Sequence, residues 1–287
     1  MRDWILSLRP KHWLKNAFVL APLIFSEHYL DGDAVLRALG AFALFSLLAS
    51  AMYLINDVVD RGHDARHPRK KHRPVASGRI LPATALAAAG VFIAIALAAS
   101  TVLSLRLTVV LAAYIVNTLA YVLWLKHKVI LDVLLIAVGF VLRLLAGCAA
   151  ISVEPTGWLL VCGFSLALVL GFGKRRTEVA AEGIDYRFRP ALQSYDAAKL
   201  DTLLGACTAV CLVAYMLFTL APETVARHGT DRLIFTIPVV AYGLFRYLFK
   251  VMEGRGDGPT EILVSDPVFA ATGVVWGTMV VLILVSK

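Results

Sequence analysis

Charge is scarce in this chain. Asp, Glu, Lys and Arg make up only 17% of its 287 residues, against about a quarter in an ordinary soluble domain. That shortage excludes a water-facing surface over most of the molecule. Long polar stretches are also missing, which excludes an appended soluble domain, so residues 1–287 read as a single membrane domain. The four cysteines (Cys148, Cys162, Cys207 and Cys211) all fall in apolar segments without a Cys-x-x-Cys spacing. They fit neither a disulfide framework nor a zinc ribbon, and read as small packing residues. Met1 to Pro10 has no apolar core followed by a small-residue cleavage site, so the first apolar run is expected to be retained. No internal repeat of the kind common in transporters is visible.

What the chain has in quantity is apolar sequence: 59% hydrophobic residues and a mean hydropathy of +0.76. Apolar segments recur at about 16–31, 34–56, 82–103, 106–125, 130–151, 157–173, 201–221, 232–250 and 267–286. Each approaches the ~20 residues that cross a bilayer as helix. The expected class is therefore an all-α membrane protein of about nine transmembrane helices. The first segment carries Pro22 and ends in Glu27-His28, which predicts a kink or an interfacial stretch. Pro238, inside the eighth, predicts a bend there.

The net charge of +8 is unevenly spread. Lys and Arg gather before the first segment (Arg2, Arg9, Lys11, Lys15), after the second (Arg61 to Arg79), after the fourth (Lys126, Lys128), after the sixth (Lys174 to Lys199) and after the eighth (Lys250, Arg255). The alternate connections hold few. By the positive-inside rule the N-terminus is cytosolic, and an odd number of spans puts the C-terminus outside. The two cytosolic loops richest in charge, 57–81 and 174–200, are the expected place for chemistry.

The second segment runs into Asn56-Asp57-Val-Val-Asp60-Arg-Gly-His-Asp64. If the helix continues, Asp57, Asp60 and Asp64 share one face, with Asn56 at its edge. Three aligned carboxylates repel one another unless a cation sits among them. Hard oxygen donors suit Mg2+, which takes one or two carboxylates plus substrate phosphate oxygens. The basic run from Arg66 to Arg73 supplies partners for those phosphates. His63 and His67, at i and i+4, invite zinc, but a proline follows His67 and disfavours helix there. Arg143 lies midway along the fifth segment, where a charge is expensive, and is expected to pair with a carboxylate or reach a phosphate. Asp132 precedes it on the same face. Tyr114, Asn117 and Tyr121 form a polar stripe on the fourth segment that serves either as interhelical glue or as a cavity lining.

Asn56 to Asp64, followed by Arg73-Pro74-x-x-x-Gly78, resembles the first signature of the UbiA superfamily of intramembrane prenyltransferases. That resemblance implies about nine helices around a central cavity, with Mg2+–diphosphate held at the cytosolic mouth. Further fragments are similar to the branch that moves phosphoribosyl from 5-phosphoribosyl-1-diphosphate to decaprenyl phosphate. They are Leu8-Arg-Pro-Lys-His-Trp13-Leu-Lys15-Asn16, Gly139-Phe-Val-Leu-Arg143-x-x-Ala-Gly147, Gly173-Lys174-Arg175-x-x-Glu178, Arg189-x-x-Leu192-x-x-Tyr195, Leu244-Phe-Arg246-Tyr247 and Gly258-Pro259-x-Glu261.

Where superfamily prenyltransferases carry a second aspartate-rich motif, this chain reads Lys174-Arg175-Arg176, then Glu178, Glu182 and Asp185. A basic cluster suits a second anionic substrate, such as a lipid monophosphate. The implied reaction transfers 5-phosphoribosyl from phosphoribosyl diphosphate to a polyprenyl phosphate, a step toward cell-wall arabinan. Asn56, Asp57, Asp60 and Asp64 are the expected catalytic and Mg2+-binding residues. Lys15, Asn16, Arg66, Arg73, Tyr121, Lys126, Arg143, Lys174, Arg175, Glu178, Arg189 and Arg246 are the expected substrate contacts. The expected setting is a bacterial inner membrane, with membrane lipid around the protein, no nucleic acid and a homo-oligomer allowed. Two alternatives stand beside it. One is an ordinary prenyltransferase that uses Glu178, Glu182 and Asp185 as its second acidic motif; the other is a transporter or lipid-binding protein without catalysis.

Overall fold

In hydrocarbon every peptide N–H and C=O has to be satisfied within its own segment, and helix does this. The computed structural model describes residues 1–68, 70–180, 190–254, 261–262 and 265–286. Among these, eight helices are long and apolar enough to cross a bilayer, and no strand occurs. They are α1 (Gly32–Val59), α2 (Pro82–Leu103), α3 (Leu105–Leu123), α4 (Leu131–Ala150), α5 (Gly157–Ala180), α6 (Ala197–Leu220), α7 (Ile237–Met252, which reaches spanning length together with the 3-10 turn before it, Arg232–Met252) and α8 (Pro267–Val285). Their starts follow local chemistry. Asp31 caps α1 by accepting from Asp33 N at 3.0 Å and Ala34 N at 3.4 Å. Asp196 and Asp266 cap α6 and α8 in the same way, and Pro82 and Pro267 sit where a helix needs no donor.

The all-helical membrane class is as expected, but three boundaries differ. The first apolar segment is not one long helix. It is a 3-10 stretch (Pro10–Leu20), a short helix (Ala21–Phe25) and a 3-10 turn (His28–Leu30). Pro10 and Pro22 remove donors, and the polar side chains of Trp13 and Asn16 are spent on Ser50 and Ser46, each at 3.0 Å. Pro238 does not bend a helix; it lies in the first turn of α7, after a 3-10 turn over Arg232–Thr236. Lys174 to Ala180 belong to α5 rather than to a loop.

The chain forms two compact units: Met1–Lys128 with Val138–Pro155, and Val129–Ala137 with Thr156–Lys287. The first has its core where Phe45, Leu48 and Met52 of α1 meet Leu107, Leu111 and Tyr114 of α3 and Leu142 and Ala146 of α4. A second cluster in that unit joins Ala51 and Leu54 to Val75, Ile80, Ala85 and Ala89. The other unit packs Val133, Val169, Phe172, Leu200, Leu204, Tyr247 and Val251. Large apolar side chains such as Leu36, Val102, Val116, Val274 and Leu282 face outward, as lipid contact requires.

Gly147 of α4 lets the N-terminal segment approach: a Cβ there would overlap Val19 O and touch Pro22 at 2.9 Å. We expect Gly147→Ala to cost about 1–3 kcal/mol by overpacking. The check is a fall in melting temperature in detergent; an unchanged value contradicts the close approach.

Candidate functional site

α1 has 28 residues, and at 1.5 Å per residue it runs about 42 Å, beyond the ~30 Å hydrocarbon layer. Its last turn therefore carries the acidic motif to the layer's edge. The motif is not one continuous helix. α1 ends at Val59, Asp60 lies outside helical geometry at φ −86°, ψ 0°, and a short helix resumes over Arg61–Asp64. Val58, Val59, Asp60 and Gly62 are all weak helix formers. Backbone bonds nonetheless bridge the break, from Asp60 N to Asn56 O at 2.9 Å and from Asp64 N to Asp60 O at 2.8 Å. Asp57 and Asp64 are buried and Asp60 is half-buried.

Each carboxylate meets a cation from a different segment. Arg73 Nη1 donates to Asp64 Oδ2 at 2.6 Å and to Asp57 Oδ1 at 3.2 Å. Arg9 also pairs with Asp57, and Lys126 pairs with Asp60. Local sequence aims these cations. Val75 and Ile80 are buried against α1 and α2, anchoring the loop that bears Arg73. That loop closes on itself through Ser77 N to Arg73 O at 2.9 Å and Ile80 N to Pro74 O at 3.0 Å. Its turn needs the positive φ of 79° that Gly78 adopts. Arg9 follows the short helix Arg2–Leu8 in a left-handed conformation, φ 52°, ψ 59°. Ser50 fixes that segment by donating to Leu8 O at 3.0 Å, and the Arg9 guanidinium lies 4.9 Å from the Tyr53 ring centre.

Among the described residues no three His, Cys, Asp or Glu side chains are gathered as a ready metal cage. The donor set still fits a hard cation. One nitrogen of Arg73 already bridges Asp57 and Asp64, so those two oxygens lie within reach of a single positive centre. All of the candidate ligands are oxygens, which suits Mg2+ and not zinc.

The other expected contacts separate into groups. Lys15 and Tyr121 are half-buried and Arg66 is exposed. Asn16 and Arg143 are buried together: Arg143 Nε donates to Asn16 Oδ1 at 2.8 Å, Nη1 to Gly139 O at 2.7 Å and Nη2 to Tyr114 Oη at 3.3 Å. The Phe45, Tyr114 and Phe140 rings stand 4.8–5.3 Å from its guanidinium. Among the described residues neutral acceptors and aromatic faces, not a carboxylate, surround this charge.

Asp132 pairs instead with Arg175, at 2.6 Å, and both are almost fully buried. Arg175 also pairs with Glu178, which lies 3.9 Å from Lys174. Tyr195 Oη donates to Asp132 Oδ1 at 3.1 Å and accepts from Ile130 N at 2.7 Å. That bond holds Ile130 at φ 69°, an outlier for a β-branched residue. Burial, with the Asp132 carboxylate beside it, pushes the Tyr195 phenol up to about 12, so it stays a neutral donor. Arg175 is thus committed to a closed network rather than turned to an open face.

Arg246 is likewise engaged, donating to both oxygens of Asp266 at 2.9–3.1 Å. Hydrogen bonds from Arg246 and from Phe269 N hold the Asp266 carboxyl below its usual range. Arg189, Glu182 and Asp185 lie outside the described residues. Sequence reasoning passed over Arg9 as a site residue. It lies inside the Leu8-to-Asn16 fragment, but its partner Asp57 is 48 residues away.

Residues 17–264 match the model of the UbiA prenyltransferase family. The chain belongs to that family. It is an integral membrane protein. A decaprenyl-phosphate phosphoribosyltransferase from Mycolicibacterium smegmatis is 33% identical, covering 95% of this chain and 89% of that protein. A second protein of the same name, from Corynebacterium glutamicum, is 32% identical over 95% of this chain and 83% of its own length. The fold resembles that of a UbiA homolog from Archaeoglobus fulgidus bound to DMAPP and Mg2+. The TM-score is 0.74 at 19% identity, with 97% of this chain and 99% of that one covered.

Asp132 is the counter-charge of a guanidinium that has no access to water. Asp132→Ala should therefore cost about 3–5 kcal/mol, because a buried cation loses the fully buried one of its two carboxylate partners. A melting temperature equal to wild type in detergent would contradict this role.

Proposed function

We propose that the protein transfers 5-phosphoribosyl from phosphoribosyl diphosphate to a polyprenyl phosphate and releases pyrophosphate. The observation that carries this reading is the match to two proteins named for that transfer, over 95% of the chain. The transferase class follows from the same relatives and from the family. The charge pattern of the acidic motif supports the reading.

Asp57 and Asp64, with Asp60 and Asn56 beside them, would hold Mg2+. The bound metal supplies charge neutralisation of the leaving group. Arg73 and Lys126, the partners of these carboxylates, turn to the diphosphate oxygens. The bond from ribose C1 to the diphosphate oxygen breaks as a lipid phosphate oxygen forms its bond to C1. Both electrons of the breaking bond leave with pyrophosphate. A phosphate monoester is already ionised at neutral pH, so no general base is required. Catalysis is positioning and charge stabilisation. The distribution of Lys and Arg supports a site on the cytosolic side of the membrane, and the bacterial sources of the relatives support a bacterial inner membrane.

The protein in detergent or nanodiscs, given Mg2+, labelled phosphoribosyl diphosphate and a polyprenyl phosphate, should yield a ribosyl lipid identified by mass. A product formed from a prenyl diphosphate and an aromatic acceptor instead would return the chain to ordinary prenyl transfer, and no product from folded protein would sink both. Asp57→Asn should lower turnover by roughly 100-fold or more with the fold kept. Retained turnover would remove Asp57 from the reaction.

A further inference from the structure

The three motif carboxylates are already neutralised, each by a cation delivered from elsewhere in the chain. Arg9 and Arg73 face Asp57, Arg73 faces Asp64, and Lys126 faces Asp60. The Arg9, Arg73 and Lys126 side chains are only 18%, 28% and 10% exposed, so water screens little of their charge. A divalent ion arriving alone would have to push these cations off the carboxylates and leave them half-buried without partners, an unfavourable exchange. The same ion arriving with a diphosphate brings new acceptors for every cation it displaces.

Arg9 is built for such an exchange. It sits in a left-handed conformation that non-glycine residues avoid, directly before a proline. Its guanidinium is gripped from two sides, by the Asp57 carboxylate and the Tyr53 ring. Ser50 ties the chain down at Leu8 and Trp13, on either side of Arg9. Arg73 keeps Asp64 if it leaves Asp57. Arg9, by contrast, has Asp57 as its only carboxylate partner among the described residues, so it is the cation whose fate depends most on that group.

We propose that Arg9 is a positioning residue for the donor. Its ion pair holds Asp57 closed to metal alone, and its guanidinium passes to the diphosphate when metal and diphosphate bind together. Metal and diphosphate then tighten each other's binding by the same factor, as linkage demands. The identity of the diphosphate as the sugar donor's rests on the function proposed above; the coupling itself does not.

The test uses the full-length protein in detergent micelles, with Mn2+ as the metal probe and inorganic pyrophosphate as the anion. Protein-bound manganese is counted by electron paramagnetic resonance at matched free metal. Wild type should bind Mn2+ alone weakly and at least roughly tenfold more tightly with pyrophosphate. Arg9→Gln should bind Mn2+ alone roughly tenfold more tightly than wild type and lose that much of the coupling. Arg9→Lys should stay close to wild type. Metal-alone affinity in Arg9→Gln equal to or below that of wild type, in protein with a wild-type melting temperature, overturns the proposal. If Arg9→Gln does not fold, equal affinity of wild type for Mn2+ with and without pyrophosphate overturns it just as well. Ribosyl transfer by wild type is assayed separately: no transfer with coupling present strikes the proposed function, and no coupling with transfer present strikes this inference.

Discussion

Asp57 is buried at the end of a helix made almost entirely of apolar residues, and its charge is tolerable there only because two guanidiniums face it. A buried carboxylate without such partners is expensive enough to reshape its surroundings. Much of the first unit's architecture meets that requirement. The short N-terminal helix, its left-handed exit at Arg9 and the serine anchors on α1 bring one arginine. The loop pinned by Val75 and Ile80 and turned at Gly78 brings the other. Lys126 completes the set from the connection after α3.

Neutrality of this kind suits an enzyme whose substrates are highly charged and whose surroundings are not. Carboxylates alone would repel a diphosphate, and cations alone would hold it too firmly to release. A paired set presents little net charge at rest and can be repartitioned when a metal and an anion enter together. The closed network of Asp132, Arg175, Glu178 and Tyr195 in the other unit follows the same electrostatic logic to a different end. There the Asp132–Arg175 pair is sealed from water, and Tyr195 ties it to the helix start around Ile130.

The acidic motif was legible in the sequence because Asp57, Asp60 and Asp64 recur at helical spacing, but the break in the helix at Asp60 was not. The helical membrane class was legible from length and hydropathy, since hydrocarbon permits few alternatives. What sequence could not supply were pairings between distant residues. Arg9 and Asp57 are 48 positions apart, and Lys126 and Asp60 are 66 apart. Arg143 carried the right signal, a costly intramembrane charge, but its surroundings of rings and neutral acceptors depend on how four segments pack. Arg175 and Arg246 read as open phosphate ligands only because their partners Asp132 and Asp266 lie far along the chain. The opening segment, where a kink or interfacial stretch was expected, is broken further: its prolines and polar side chains redirect an apolar run into 3-10 stretches and a short helix.

Everything at this site turns on where the sugar donor sits. The most direct measurement is an electron cryo-microscopy map of the protein with phosphoribosyl diphosphate and Mg2+. Density for the diphosphate is predicted against Asp57 and Asp64, with Arg9 and Arg73 moved from the carboxylates onto its oxygens. A donor seated elsewhere, with both arginines still on Asp57, would contradict it.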